Sequence, residues 1–223
     1  MLNKIVVQFP ERQENTTELV NLTIFREKVV ARAIVSNSFS LNQRYRGKNL
    51  SNFNYSPGKI LSIVQAVKSK RSVFLSGSCG SGKTHMACGL MYEYYKNGII
   101  DIDGSIVMPE KPFFKSISDF ILDLKDSFDK TGETEKDIIN KLASKKFLVL
   151  DDLGVEIKSD WSRFSLYALI NRRYESMKQT IITSNLTLNE IGTKIDDRIS
   201  SRIVEMCEIV DMGKDDYRLK LLS

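Results

Sequence analysis

The chain has 223 residues, 42% of them hydrophobic and 27% charged, which is the make-up of one ordinary α/β domain with a short appendage. No apolar run approaches the length needed to cross a bilayer and the N-terminus lacks a signal-peptide stretch, so a cytoplasmic protein is expected. Three cysteines without CxxC spacing and a single histidine exclude a disulfide framework, a structural zinc site and His-based triad chemistry.

The net charge of +5 is unevenly spread: from Lys28 to Tyr92 there is no acidic residue, while Arg44, Arg46, Lys48, Lys68, Lys70 and Lys83 all fall there. Such a stretch is either a positive surface for phosphates or a solvated basic face.

In chain order, Asn15 and Glu18 read as a helix start, and apolar residues at Leu19, Leu22, Phe25, Val29 and Ala33 continue one amphipathic helix to about Asn37. Its stripe must be buried against this chain or a partner. Ser38 to Ser56 reads as a basic loop or linker closed by Pro57-Gly58. A helix over Lys59–Ser69, a buried strand over Ser72–Ser76 and a helix over Thr84–Lys96 follow. Ile99 to Lys115, broken by Pro109 and Pro112, gives no clear pattern. Helices are expected over Ser116–Phe128 and Glu133–Ala143. A central strand is expected at Phe147–Leu150, a helix over Trp161–Tyr174 and a strand over Thr180–Ser184. A helix near Ile195–Cys207 and a weak strand near Glu208–Val210 complete the chain. Strands alternating with helices predict a parallel sheet with right-handed crossovers.

The strongest motif is Gly77-Ser78-Cys79-Gly80-Ser81-Gly82-Lys83-Thr84, which matches GxxxxGK[ST] and sits between a strand and a helix. The glycines let successive N–H groups turn inward toward phosphate oxygens, and the helix N-terminus adds positive potential. Lys83 is placed for the β- and γ-phosphates of ATP and Thr84 for Mg²⁺; His85 lies next to them. Asp151 and Asp152 end a buried strand. Asp151 is placed for the Mg²⁺ shell, and Asp152 either orients the attacking water or caps a turn. Asn185, at the end of the Thr180–Ser184 strand, either holds the same water or belongs to turn chemistry. Arg198 and Arg202 share a helix face and serve either as arginine fingers or as salt-bridge partners of Asp196 and Glu205.

Together these residues resemble the AAA+ ATPases of the bacterial and phage helicase-loader group, the DnaC/DnaI type, and the similar IstB transposition ATPases. The resemblance runs from Arg44-Tyr45-Arg46-Gly47-Lys48 through the P-loop, Leu150-Asp151-Asp152-Leu153-Gly154, Ile170-Asn171-Arg172-Arg173-Tyr174 and Thr183-Ser184-Asn185-Leu186, to Tyr217-Arg218. It implies a P-loop NTPase fold: a parallel sheet flanked by helices over residues 42–223, with a helical partner-binding extension over residues 1–41. It implies that Asn185 is a sensor, Arg202 the finger acting between subunits with Arg198 beside it, and Arg218 a γ-phosphate contact within the subunit. Lys115, Lys125 and Phe128 are then candidate contacts for single-stranded DNA, on a helix that is otherwise an ordinary amphipathic lid. The implied activity is ATP-dependent delivery of a replicative helicase onto single-stranded DNA, with self-assembly into a ring or spiral and no membrane partner. The rival readings are a transposition regulator on duplex DNA and a nucleotide-gated adaptor with little turnover. Asp152 departs from the Glu usual in AAA+ proteins, and the cysteine-free first 41 residues carry no zinc-binding domain of the kind some loaders have.

Overall fold

The computed structural model describes residues 22–31, 39–41, 43–53, 57–102, 105–128, 132–154 and 157–217. Helix α1 covers residues 22–31; the expected ends of that helix, at Asn15 and Asn37, lie outside the described residues. Two short 3₁₀ turns, Gln43–Tyr45 and Leu50–Asn52, lead to α2 (Pro57–Lys68), β1 (Ser72–Ser76) and α3 (Lys83–Asn97). A hairpin of β2 (Ile100–Ile102) and β3 (Ser105–Val107) follows, then β4 (Phe113–Ser116), α4 (Ile117–Asp126), α5 (Glu135–Ser144) and β5 (Phe147–Leu153). The chain continues through α6 (Asp160–Glu175), β6 (Gln179–Ser184), α7 (Leu188–Lys194), α8 (Asp197–Met206) and β7 (Cys207–Asp211).

Five strands form one sheet in the order β4-β5-β6-β1-β7, and all the pairings are parallel. Parallel strands need crossovers, and the helices that supply them cover both faces, so the central strands carry apolar residues on both sides. Side chains alternate along each strand. Phe74, Leu148, Leu150 and Ile182 join a core with α4 to α8, while Val73, Leu75, Phe147, Val149 and Ile181 join a second core with α1, α2 and α3. Each fully buried Leu or Ile in these layers contributes about 1.5–3 kcal/mol relative to exposure.

Three elements depart from the sequence reading. The uninterpreted stretch around residues 99–115 holds the hairpin and β4, an edge strand paired in register Phe114 to Val149. The turn after β6 is followed by a separate short helix, α7, started by a capping box of Thr187 and Glu190. Among its described residues the segment expected to be a loop or linker has no long helix or strand, but it is packed: Phe39 and Leu41 are buried in the α3 core, and the Phe114 amide donates to the Phe39 carbonyl at 3.3 Å.

The stripe of α1 faces this chain. Val30 is buried in the same core, Val29 packs against it, and Arg26 donates to the Ile99 carbonyl through Nε and Nη2 at 2.9 and 2.6 Å.

Arg173, in the middle of the Asn171–Tyr174 motif, is fully buried. Its guanidinium donates to the carbonyls of Leu142, Ala143 and Lys145 at the end of α5, to the Gln179 carbonyl and to the Thr180 hydroxyl. It thereby fastens α5 and α6 to the start of β6. Burial lowers its pKa to about 9, which leaves it charged at neutral pH.

Candidate functional site

The P-loop links β1 to α3. Gly77, Gly80 and Gly82 have φ of 152°, 79° and 92°, and the last two lie in left-handed backbone space. Side chains there would also displace neighbours: a Cβ on Gly82 would come within 2.7 Å of the Phe53 ring, and one on Gly80 would push the Asp216 carboxylate aside. Lys83 is buried, and its Nζ donates to the carbonyls of Gly77 and Ser78 at 2.9 and 2.7 Å, which centres the ammonium on the loop. Cys79 is exposed on the loop surface.

Two segments brace the loop. The 3₁₀ turn at Leu50–Asn52 is held by His85, whose Nε2–H donates to the Asn49 carbonyl and the Asn52 Oδ1 at 2.9 and 2.7 Å. Phe53 meets the His85 ring edge-on at 4.9 Å. Burial lowers the His85 pKa, so the imidazole is neutral at pH 7. On the other side the chain leaves β7 and runs along the loop: the Met212 amide donates to Ser76, the Ser78 amide to the Gly213 carbonyl and the Tyr217 amide to the Gly80 carbonyl.

The acidic pair sits at a β-bulge. Leu150 pairs with Ile182 and Leu153 with Ser184, so Asp151 and Asp152 together oppose Thr183. Asp152 has a φ of 62°. In a flat strand the two carboxylates would point to opposite faces; the bulge re-aims them. Asp151 is buried and accepts from the Thr84 hydroxyl at 3.0 Å and from the Thr183 hydroxyl at 2.7 Å. Burial raises its pKa, opposed by those two hydrogen bonds. The same Thr183 oxygen accepts from the Asp152 amide at 2.9 Å. Asp152 is exposed, and the Asn185 amide donates to its carboxylate at 3.0 Å. Thr84, Asp151, Thr183, Asp152 and Asn185 are therefore one connected set at the mouth of the P-loop. Four of these carry a sequence signal of their own; the signal for Thr183 is only its place directly before Ser184-Asn185.

The set fits a magnesium ion. A hydroxyl and a carboxylate 3.0 Å apart are hard oxygen donors, and Mg²⁺ is held by one or two such groups together with substrate phosphates rather than by an all-protein cage. Among the described residues no cluster of three or more His, Cys, Asp or Glu is present.

A model of the IstB-like ATP-binding protein family matches residues 7–223. The chain belongs to that family. It is therefore an ATP-binding protein. It is 24% identical over 132 residues to the replicative helicase loader DnaC of Escherichia coli (strain K12), a match covering 59% of this chain and 49% of that protein. The chain thus matches about half the length of that relative. Among solved structures, it is similar to the crystal structure of the DnaC helicase loader, with a TM-score of 0.63, 27% identity and coverage of 76% of this chain and 99% of that one. It also shares the fold of AMPPCP-bound DnaA from Aquifex aeolicus, at a TM-score of 0.61, 24% identity and coverage of 82% and 54%. The fold is that of AAA+ P-loop NTPases, as the motifs lead one to expect.

The remaining candidates lie apart from this cluster. Arg198 and Arg202 project from α8 beside α6. Arg198 is paired with Asp196 at 2.7 Å and Arg202 with Glu205 at 3.9 Å, so the expected salt bridges exist; each guanidinium also lies over a tyrosine ring. Arg218 lies outside the described residues. Lys115 is bonded to Asp123 at 2.5 Å, Lys125 is exposed on α4, and Phe128 is exposed beside Trp161 at 5.1 Å. Ile117, Phe120, Ile121 and Leu124 bury the other side of α4 in the core. Among the described residues no helix is long and apolar enough to cross a membrane.

Proposed function

We infer that this chain hydrolyses ATP and uses the cycle to deliver a replicative DNA helicase onto single-stranded DNA. The observation that carries the enzymatic half is the hydrogen-bonded set from Thr84 to Asn185 around the P-loop. The likeness to the DnaC helicase loader, in sequence and in structure, supports the loading half.

The P-loop amides and Lys83 hold the β- and γ-phosphates. Thr84 and Asp151 would hold Mg²⁺, which would supply charge neutralisation on the phosphates. Asp152, oriented by Asn185, accepts the proton of a water whose oxygen attacks the γ-phosphorus. The bond from that phosphorus to the β–γ bridging oxygen breaks, and ADP leaves with the electron pair. Arg202, with Arg198 beside it, stabilises the charge on ATP held by a neighbouring subunit, so ATP favours a ring or spiral. Arg218 contacts the γ-phosphate within the subunit. Helicase contact is assigned to residues 1–41, and single-strand contact to the surface with Lys115, Lys125 and Phe128.

The match to an IstB-like family favours one second reading: a transposition regulator that assembles on duplex DNA. Binding to single-stranded and duplex oligonucleotides, with and without ATP, separates the two. ATP-dependent preference for the single strand supports loading; preference for duplex supports the transposition reading. Lys83→Ala abolishes nucleotide binding on either. No turnover with DNA and helicase both present would leave a nucleotide-gated adaptor.

A further inference from the structure

Helix α6 carries Tyr167 and Tyr174 seven residues apart, which is two turns and therefore one face. Helix α8 carries Arg198 and Arg202 four apart, also on one face. The two faces meet. The guanidinium carbon of Arg198 lies 4.5 Å from the centre of the Tyr167 ring, and that of Arg202 lies 4.5 Å from the centre of the Tyr174 ring. Each stacked pair has a lateral lock. Asp196 accepts from Arg198 Nε and Nη2 at 3.0 and 2.7 Å. Asn171 accepts from Arg202 Nε at 3.0 Å and donates to Glu175 at 2.8 Å, while the Tyr174 hydroxyl donates to Glu205.

An unrestrained arginine samples many rotamers, and fixing one costs entropy at the moment of use. A tyrosine has two side-chain torsions, and here it is anchored on a helix. Stacking uses the flat face of the guanidinium, and the locks engage Arg198 Nε and Nη2 and Arg202 Nε, so the Nη1 groups keep N–H donors for phosphate oxygens. Both arginines remain accessible, with side chains 57% and 32% exposed.

We propose that Tyr167 and Tyr174 are positioning residues that hold Arg198 and Arg202 as a preformed cation pair for the γ-phosphate of ATP bound to a second copy of this chain. Tyr174 with Arg202 sets the turnover. The proposal rests on the reading of Arg202 as a finger acting between subunits. It deepens that reading by naming what keeps the finger in place.

The test is ATP turnover by full-length chains with single-stranded DNA. Tyr174→Leu lowers kcat about 3- to 10-fold, in line with loss of a partly desolvated cation–π contact, and leaves KM and the affinity for a fluorescent ATP analogue unchanged. Tyr174→Phe keeps the ring, loses only the hydroxyl contact to Glu205, and retains most of the wild-type rate. Subunit mixing then separates the proposal from the reading beneath it. Lys83→Ala chains lack a working ATP site but supply Arg202; Arg202→Ala chains have the site but no finger. Mixing them restores turnover. Adding Tyr174→Leu to the Lys83→Ala donor cuts the rescue about 3- to 10-fold, whereas adding it to the Arg202→Ala acceptor does not. Full rescue by the doubly substituted donor, or an equal loss from either chain, overturns the proposal while the finger reading stands. No rescue by any donor removes the finger reading and the proposal with it. Nucleotide-driven assembly with a non-hydrolysable ATP analogue, followed by sedimentation, gives the same comparisons without turnover.

Discussion

Replacing Thr183 with valine removes one oxygen and keeps the side-chain shape. That oxygen donates to the buried Asp151 carboxylate at 2.7 Å and accepts from the Asp152 amide at 2.9 Å. A hydrogen bond to a charged group contributes about 1.5–3 kcal/mol, and a buried N–H left without a partner costs about 1–3 kcal/mol. The two share one atom and do not add fully, so a net loss of about 2–4 kcal/mol is expected. In a chain of this size each kcal/mol moves the melting temperature about 2–4 °C, giving a fall of roughly 4–16 °C. The effect on activity is separate. Asp151 loses one of the two donors that oppose its desolvation, and the bulge that aims Asp152 loses its anchor. Loss of an outer partner of this kind typically costs 10- to 100-fold in metal affinity or activity. ATP turnover across a Mg²⁺ titration should show that drop for Thr183→Val, and Thr183→Ser should restore it. Turnover within about twofold of wild type, with the same Mg²⁺ dependence and melting temperature, would refute the claim that one hydroxyl sets both carboxylates.

Three further outcomes are expected. Arg173→Met takes the guanidinium donor from four carbonyls and a hydroxyl and costs about 3–5 kcal/mol by denaturant unfolding, with Arg173→Lys intermediate; a loss under about 1 kcal/mol would count against its role as a staple. Asp151→Asn keeps both threonine hydrogen bonds and removes a desolvated charge. Because burial raises the Asp151 pKa, the folded state holds that proton more tightly than the unfolded one, and its stability contribution is lost as pH rises through the folded value. The asparagine variant should therefore be about 0.5–2 kcal/mol more stable at pH 7 while losing turnover; a lower melting temperature would contradict this. His85 has a lowered pKa, so below about pH 6.5 the unfolded chain binds the proton first and stability falls as pH drops. His85→Gln, which can donate to the same two oxygens, should flatten melting temperature between pH 7 and pH 5.5; an unchanged slope would assign the effect elsewhere.

The parts of this site that were legible in sequence are those with a fixed residue pattern on a long element. The P-loop declares itself through spacing between a strand and a helix, and Asp151-Asp152 through the apolar run before it. The bulge at Asp151 and Asp152 was not legible, because register belongs to the pairing of β5 with β6 and neither strand alone encodes it. Strand β4 is four residues long behind Pro112, too short for a period to emerge. Helix α7 had a signal, the Thr187 and Glu190 capping box, inside a stretch too brief for an apolar stripe. Phe39 and Leu41 are buried on either side of Ser40, whose φ of 58° belongs to a turn, so no strand period announces them and the basic residues around them read as loop. Tyr167 and Tyr174 fit an ordinary helix face until α8 packs across them.

The measurement that bears most directly on the central claim is helicase loading itself: transfer of the host replicative helicase onto a single-stranded DNA circle, scored by its recovery with the DNA. The account expects full-length chain with ATP to load helicase, and expects both Lys83→Ala and deletion of residues 1–41 to fail. Loading that proceeds equally with Lys83→Ala, or no helicase recovered while the chain binds duplex DNA in preference, would contradict it.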